Sequence, residues 1–82
     1  MSFEKSWGRI DDVLNEVVDN QKLKLILLGR RIVPCLTEDD LLQPNDFPEL
    51  ENHPEFRYEE GILEGILSVR MALLALQKES GI

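Results

Sequence analysis

Apolar residues in the first third of the chain recur with the period of an α-helix. They stand at i, i+3, i+4, i+7 and i+8, which places them on one helix face; they are Ile10, Val13, Leu14, Val17 and Val18. The same face extends back through Phe3 and Trp7 and forward through Gln21, Leu25, Leu28 and Ile32. The pattern therefore predicts one long helix to about Val33, which Pro34 ends because proline cannot continue a helix.

Two alternatives compete with a continuous first helix. Asp19 and Asn20 are poor helix formers and good caps, so the helix could be kinked or broken between them. A strand over residues 22–28 is the other option, because leucines occupy alternate positions there. No partner strand is indicated elsewhere in the sequence, which disfavours the strand.

A second proline-free segment, residues 55–79, also predicts a helix, which Pro54 introduces. It carries a stripe of small side chains at steps of four and three: Gly61, Gly65, Ser68, Ala72 and Ala75. Larger apolar residues form two further stripes: Ile62, Ile66, Val69, Leu73 and Leu76, and Leu63, Leu67 and Leu74 beside Arg70. A helix that is apolar on most of its circumference needs neighbours on several sides.

The stripe of small residues is a candidate seam for helix packing or oligomerisation. Small side chains let another backbone approach closely, while each helical glycine costs about 1 kcal/mol relative to alanine. We therefore expect Gly65→Leu to force helices apart and to lower stability. One first helix cannot cover three faces, so self-association is expected, with a homodimer as the first choice.

All four prolines lie between positions 34 and 54 and define a connector with two short helical turns. Thr37 is expected to cap the first turn, and Asn45 or Asp46 to cap the second, which contains Pro48 and Leu50. The predicted fold is all-α: a long N-terminal helix (1–33) packed antiparallel on a C-terminal helix (55–79), joined by the acidic connector (34–54). Residues 1–82 are expected to form a single helical domain.

Charge and composition narrow the function further. Sixteen acidic against nine basic residues give a net charge of −7, which argues against nucleic acid as a partner. One cysteine excludes an intrachain disulfide, and the acidic start of the chain is unlike a secretion signal. Glu64 and Arg70 interrupt the last apolar run, so no membrane span is expected. We expect a cytoplasmic protein.

The connector contributes a candidate docking surface for a basic partner protein: Glu38, Asp39, Asp40, Asp46, Glu49 and Glu51. The alternative is attraction, within the fold or across a dimer, to a basic stretch that contains Lys22, Lys24, Arg30 and Arg31.

Candidate chemistry is sparse. Cys35 and His53 could pair as a nucleophile and a base, although burial as a small apolar side chain explains Cys35 equally well. The carboxylates Glu59, Glu60 and Glu64 are interpreted as groups facing the positive end of the last helix. We expect no catalytic residue, metal ligand or cofactor.

Two arginines support the alternative function. Arg30 and Arg70 lie among leucines, where a guanidinium group can hold a carboxylate or phosphate through two hydrogen bonds. A small dimeric enzyme or ligand binder would use them to grip an anionic metabolite. Because no acid/base set accompanies them, our first interpretation is a noncatalytic, self-associating helical module that binds another protein as an adaptor or regulatory subunit.

Overall fold

Two long helices form an antiparallel hairpin. The structure, a computed structural model, describes residues 3–43 and 46–79. Its elements are α1 (Phe3–Ile32), a 3₁₀ turn (Asp39–Leu42), α2 (Pro48–Glu51) and α3 (Pro54–Glu79), with no strand in these ranges. The prediction of an all-α fold, with a long first helix packed on a long last helix, is confirmed.

The first helix is continuous through Asp19 and Asn20, so the predicted alternatives of a break and of a strand are wrong. Val18 and Leu25 on either side of this pair are buried, and Gln21 between them bonds to α3. Such packing outweighs the weak local propensity of two residues. The last i to i−4 hydrogen bond at the end of α1, from Val33 N to Gly29 O (2.7 Å), lies just before Pro34, where the helix was expected to end.

The core lies at one end of the hairpin, where the connector folds over both helices. Its buried members come from α1, the connector, α2 and α3: Leu25, Ile26, Leu28, Leu36, Leu50 and Phe56. Each apolar side chain of this kind contributes about 1.5–3 kcal/mol when fully buried. The connector is thus held across the helices by Leu36 and Leu50, both of which are at most 1% exposed.

Gly29 is the point of closest approach in this core. A Cβ atom built at Gly29 would overlap Cδ2 of Leu36 and would lie 3.4 Å from Cε2 of Phe56. The missing side chain is therefore what lets the connector return directly over α1.

The connector turns follow local capping chemistry. Thr37 N donates to Asp40 Oδ2 (2.9 Å) and Asp40 N donates to Thr37 Oγ1 (3.3 Å), a reciprocal cap that confirms the role expected of Thr37. Asp46 does not cap the second turn as predicted, because Phe47 occupies the capping position and Pro48 begins α2. Asn45, the other residue predicted to cap this turn, lies outside the described residues.

Away from the core the hairpin is only two helices thick. We call this part the stem, residues 6–20 of α1 and 62–79 of α3; among its described side chains only Val18 is buried. The fold is elongated, measuring 47 × 19 × 18 Å, and no described residue of the connector lines the apolar groove between the stem helices. Within the part of the chain that the structure describes, no helix is long and apolar enough to cross a membrane.

Candidate interaction surfaces

An apolar groove runs along one side of the stem. We call it the stem groove; it has a volume of about 500 Å³ and is lined by Leu14, Val17, Ile62, Gly65, Ile66 and Val69. Val17 is 41% exposed and Val69 is 56% exposed. Ile10 and Val13 extend the apolar surface along α1 and are exposed as well. The lining contains no charged residue, so this side of the stem offers a continuous apolar face.

A second groove lies on the other side of the hairpin, between the stem and the connector. We call it the connector groove; it has a volume of about 570 Å³ and a floor of Leu23, Leu41, Leu63 and Leu67. Its rim is charged and consists of Asp19, Lys22, Glu38 and Asp39. At 100° per residue, Val17 and Leu23 project to opposite sides of buried Val18, which separates the two grooves.

The predicted apolar stripes of α3 divide between these grooves. Ile62, Ile66 and Val69 from one stripe line the stem groove, whereas Leu63 and Leu67 from the other form part of the connector groove.

The small-residue seam lies on the exposed side of α3, with Gly65 at the edge of the stem groove. Gly61, Gly65, Ser68, Ala72 and Ala75 are all exposed, and apart from the adjoining residues and backbone of α3 no described atom lies within 4 Å of a Cβ built at Gly61 or Gly65. Among the described residues, no other helix of the same chain packs closely on the seam at Gly61 or Gly65, so the expected effect of Gly65→Leu depends on a second copy. A role of the seam in an oligomer stays a prediction.

The candidate docking residues of the connector separate into three groups. Glu38 and Asp39 lie on the rim of the connector groove, and Asp40 is half-buried in the cap with Thr37. The remaining three carboxylates are exposed away from that groove: Asp46, Glu49 and Glu51. The first group therefore adjoins an apolar surface, the leucine floor of the connector groove, on which a partner could pack.

A buried carboxylate joins α1 to α3. Gln21 Nε2 donates to Glu59 Oε2 (2.7 Å) and to Glu59 O (3.0 Å), and Lys24 Nζ lies 3.1 Å from Oε1. The hydrogen bonds from Gln21 and then Lys24 hold the pKa of the Glu59 carboxyl below its ordinary value, although burial acts in the opposite direction. The sequence interpretation of Glu59, as a carboxylate facing the positive end of the last helix, missed its burial and its partners on α1. The sequence signal that could have indicated this contact was Gln21, a polar residue within the otherwise apolar series of the first helix.

The two arginines do not meet in one chain. Arg30 Nε donates to the carbonyl oxygen of Leu36 (2.9 Å), and Arg70 Nη1 donates to Asn15 Oδ1 (3.2 Å). Asn15 precedes Arg30 by fifteen residues, about 22 Å along a helix. Each guanidinium group thus holds a different part of the fold, and the arrangement does not let both grip one small ligand.

Cys35 and His53 also have separate structural settings. Cys35 is exposed, so its interpretation as a buried apolar side chain is wrong. His53 Nδ1 accepts a hydrogen bond from Phe56 N (3.3 Å) and thereby caps α3. Within residues 3–43 and 46–79, no three His, Cys, Asp or Glu side chains are grouped so that they could hold a metal ion.

Comparison with known proteins adds no relative: the chain matches no protein-family model, no curated protein and no solved structure.

Proposed function

We propose that the protein is a noncatalytic helical interaction module that self-associates through the stem groove and binds another protein as an adaptor or regulatory subunit. The observation that supports this function is the apolar groove of the stem, which among the described residues is lined by α1 and α3 alone. Exposed apolar surfaces of this kind are typical of sites that bind other proteins.

A second copy of the chain is the occupant that fits the stem groove best. Two hairpins packed face to face form a four-helix bundle, in which each copy supplies the cover that the other lacks. The groove is lined by apolar residues only, so the copies can meet there without burying an unpaired charge, although the chain carries a net charge of −7.

The size of the chain favours the same solution. A domain of about 80 residues buries a smaller share of its surface than a larger one, so its stability alone is modest. A second copy that covers Val17 and Val69 buries more apolar surface, and it does so at positions whose backbone is already ordered in a helix. Self-association thus extends the core into the stem.

The experiment is a mass measurement by light scattering behind a sizing column, over a range of micromolar concentrations. The test variant is Val17→Glu with Val69→Glu, which places two carboxylates in the stem groove. The matched control is Leu27→Glu with Met71→Glu, since these residues are 53% and 72% exposed and line neither groove. Both pairs add the same charge to the same two helices.

We expect the wild-type protein and the control to form a dimer, and the groove variant to elute at the 9.5 kDa mass of a monomer with unchanged helix content. A wild-type protein that stays monomeric at every concentration contradicts self-association. Equal dissociation of the control variant contradicts the assignment of the stem groove as the interface.

A further inference from the structure

We infer that the connector groove binds a basic amphipathic helix of a partner protein, with the apolar side chains of that helix on the leucine floor and its lysines or arginines against the acidic rim. This inference names the partner chemistry for the module proposed above. Because the two grooves lie on opposite sides of the hairpin, partner binding and self-association can be tested separately.

The floor is suited to apolar side chains presented by a helix. Leu23 on α1 is 55% exposed. The 3₁₀ turn adds Leu41 beside it, and α3 adds Leu63 and Leu67. These leucines come from three elements, so they form a trough rather than a ridge. A trough between helices is the surface that accepts the apolar face of an amphipathic helix, through anchors at i, i+3, i+4 and i+7.

The rim selects the charge of that helix. Three carboxylates and one ammonium group line it, with Asp19 on the α1 side and Glu38 and Asp39 on the connector side. None of the three carboxylates forms an ion pair or side-chain hydrogen bond with another described residue. They are therefore available to cationic side chains that flank an apolar anchor, a complementarity that speeds association and rejects acidic partners.

The acidic rim disfavours nucleic acids and anionic lipid surfaces, because both carry dense negative charge. A single cation needs several ligands around one point, and among the described residues no three His, Cys, Asp or Glu side chains are grouped to supply them. A basic amphipathic helix satisfies the floor and the rim together.

The experiment uses a fluorescent peptide of about 18 residues, long enough to fold as a helix on binding, with leucines at i, i+3, i+4 and i+7 and lysines elsewhere. A second peptide carries glutamates in place of the lysines. Binding to the full chain is measured by fluorescence anisotropy. We expect the lysine peptide to bind at micromolar concentrations and the glutamate peptide to bind at least about tenfold more weakly.

Charge-reversal variants place the binding site. Glu38→Lys with Asp39→Lys should weaken binding at least about tenfold, whereas Glu49→Lys with Glu51→Lys, which makes the same charge change elsewhere on the connector, should change it less than about twofold. Asp19→Lys against Asp12→Lys repeats the comparison on α1, away from the 3₁₀ turn. Equal weakening within both matched pairs would show nonspecific attraction to an acidic protein and would overturn the inference.

The floor has its own matched pair. Leu23→Ser should weaken binding of the lysine peptide, and Leu27→Ser, one turn further along α1 and outside the groove, should leave it unchanged. If both variants bind equally well, the leucine floor is not the site. The monomeric Val17→Glu/Val69→Glu protein should still bind the peptide, so loss of self-association and loss of partner binding remain distinguishable.

Discussion

Gly29→Ala tests whether the close approach of the connector to α1 determines stability. Gly29 is buried near the end of α1, and an alanine methyl group at this position would overlap Cδ2 of Leu36 and touch Phe56. Both neighbours are at most 1% exposed, so neither can move into solvent without opening the core. Intrinsic propensity and packing therefore predict opposite signs for the same substitution.

The magnitudes decide the expected sign. Replacing a helical glycine by alanine gains up to about 1 kcal/mol from propensity. Overpacking a well-filled core costs about 1–3 kcal/mol. At the middle of these ranges the cost exceeds the gain, so we expect Gly29→Ala to lower the free energy of unfolding by about 1 kcal/mol, equivalent to a fall in Tm of roughly 4–8 °C for a chain of this size.

Gly8→Ala is the matched control, because Gly8 lies in the same helix and, apart from the adjoining residues and backbone of α1, no described atom lies within 4 Å of a Cβ built there. Urea unfolding followed by circular dichroism should show Gly8→Ala unchanged or more stable, and Gly29→Ala less stable at an unchanged m-value. A double-mutant cycle with Leu36→Val identifies the clashing atom, since valine lacks the Cδ2 methyl group. The losses of unfolding free energy measured for Gly29→Ala and Leu36→Val alone should then sum to more than the loss measured for the double variant. Gly29→Ala as stable as wild type, or strict additivity with Leu36→Val, would refute the reasoning.

Three further predictions concern single contacts. The pKa of Glu59 is lowered from its ordinary 4.5, so the carboxylate stabilises the fold above that pH, and this contribution is lost as pH falls through the lower folded-state pKa. The free energy of unfolding, measured over a range of acidic pH, should therefore fall less steeply in Glu59→Gln than in the exposed control Glu49→Gln. His53→Ala should cost about 1 kcal/mol in urea unfolding because the α3 cap is lost, while His53→Asn keeps an acceptor and should cost less. Gly65→Leu should not destabilise the monomer, because its Cβ position is open, but it should weaken the dimer if the seam or the adjoining groove packs there; a destabilised monomer contradicts the first part.

The extent of both long helices could be predicted because their signals are strong and repeated. The apolar series from Ile10 to Ile32 continues across Asp19 and Asn20, and the prolines at 34 and 54 lie at the helix boundaries. Periodicity over thirty residues sums many small contributions, so two unfavourable residues do not change the outcome.

Which side of α3 packs on α1 could not be predicted from the apolar periodicity and the positions of the prolines. A helix with three apolar stripes offers three ways to pack on α1, and composition alone favours the seam of Gly61 and Gly65 because small residues permit close contact. The structure instead turns Phe56 and Glu59 toward α1 and uses Gly29 for the close approach. Long-range partners such as Leu36 and Phe56 decide this, and sequence spacing does not report them.

The polar contact between Gln21 and Glu59 explains how a hairpin with so many interchangeable leucines keeps one register. Apolar side chains pack almost equally well after a shift of one turn, whereas Gln21 Nε2 bonds both the carbonyl oxygen and the carboxylate of Glu59. A shifted register would leave that buried carboxylate without these donors, which is costly in a low-dielectric setting. The contact lies where the core meets the stem, so it fixes the alignment of the two helices without occupying either groove. The Gln21–Glu59 contact thus favours one register, and the hydrogen bond from Arg70 Nη1 to Asn15 Oδ1 joins the same two helices further along the stem.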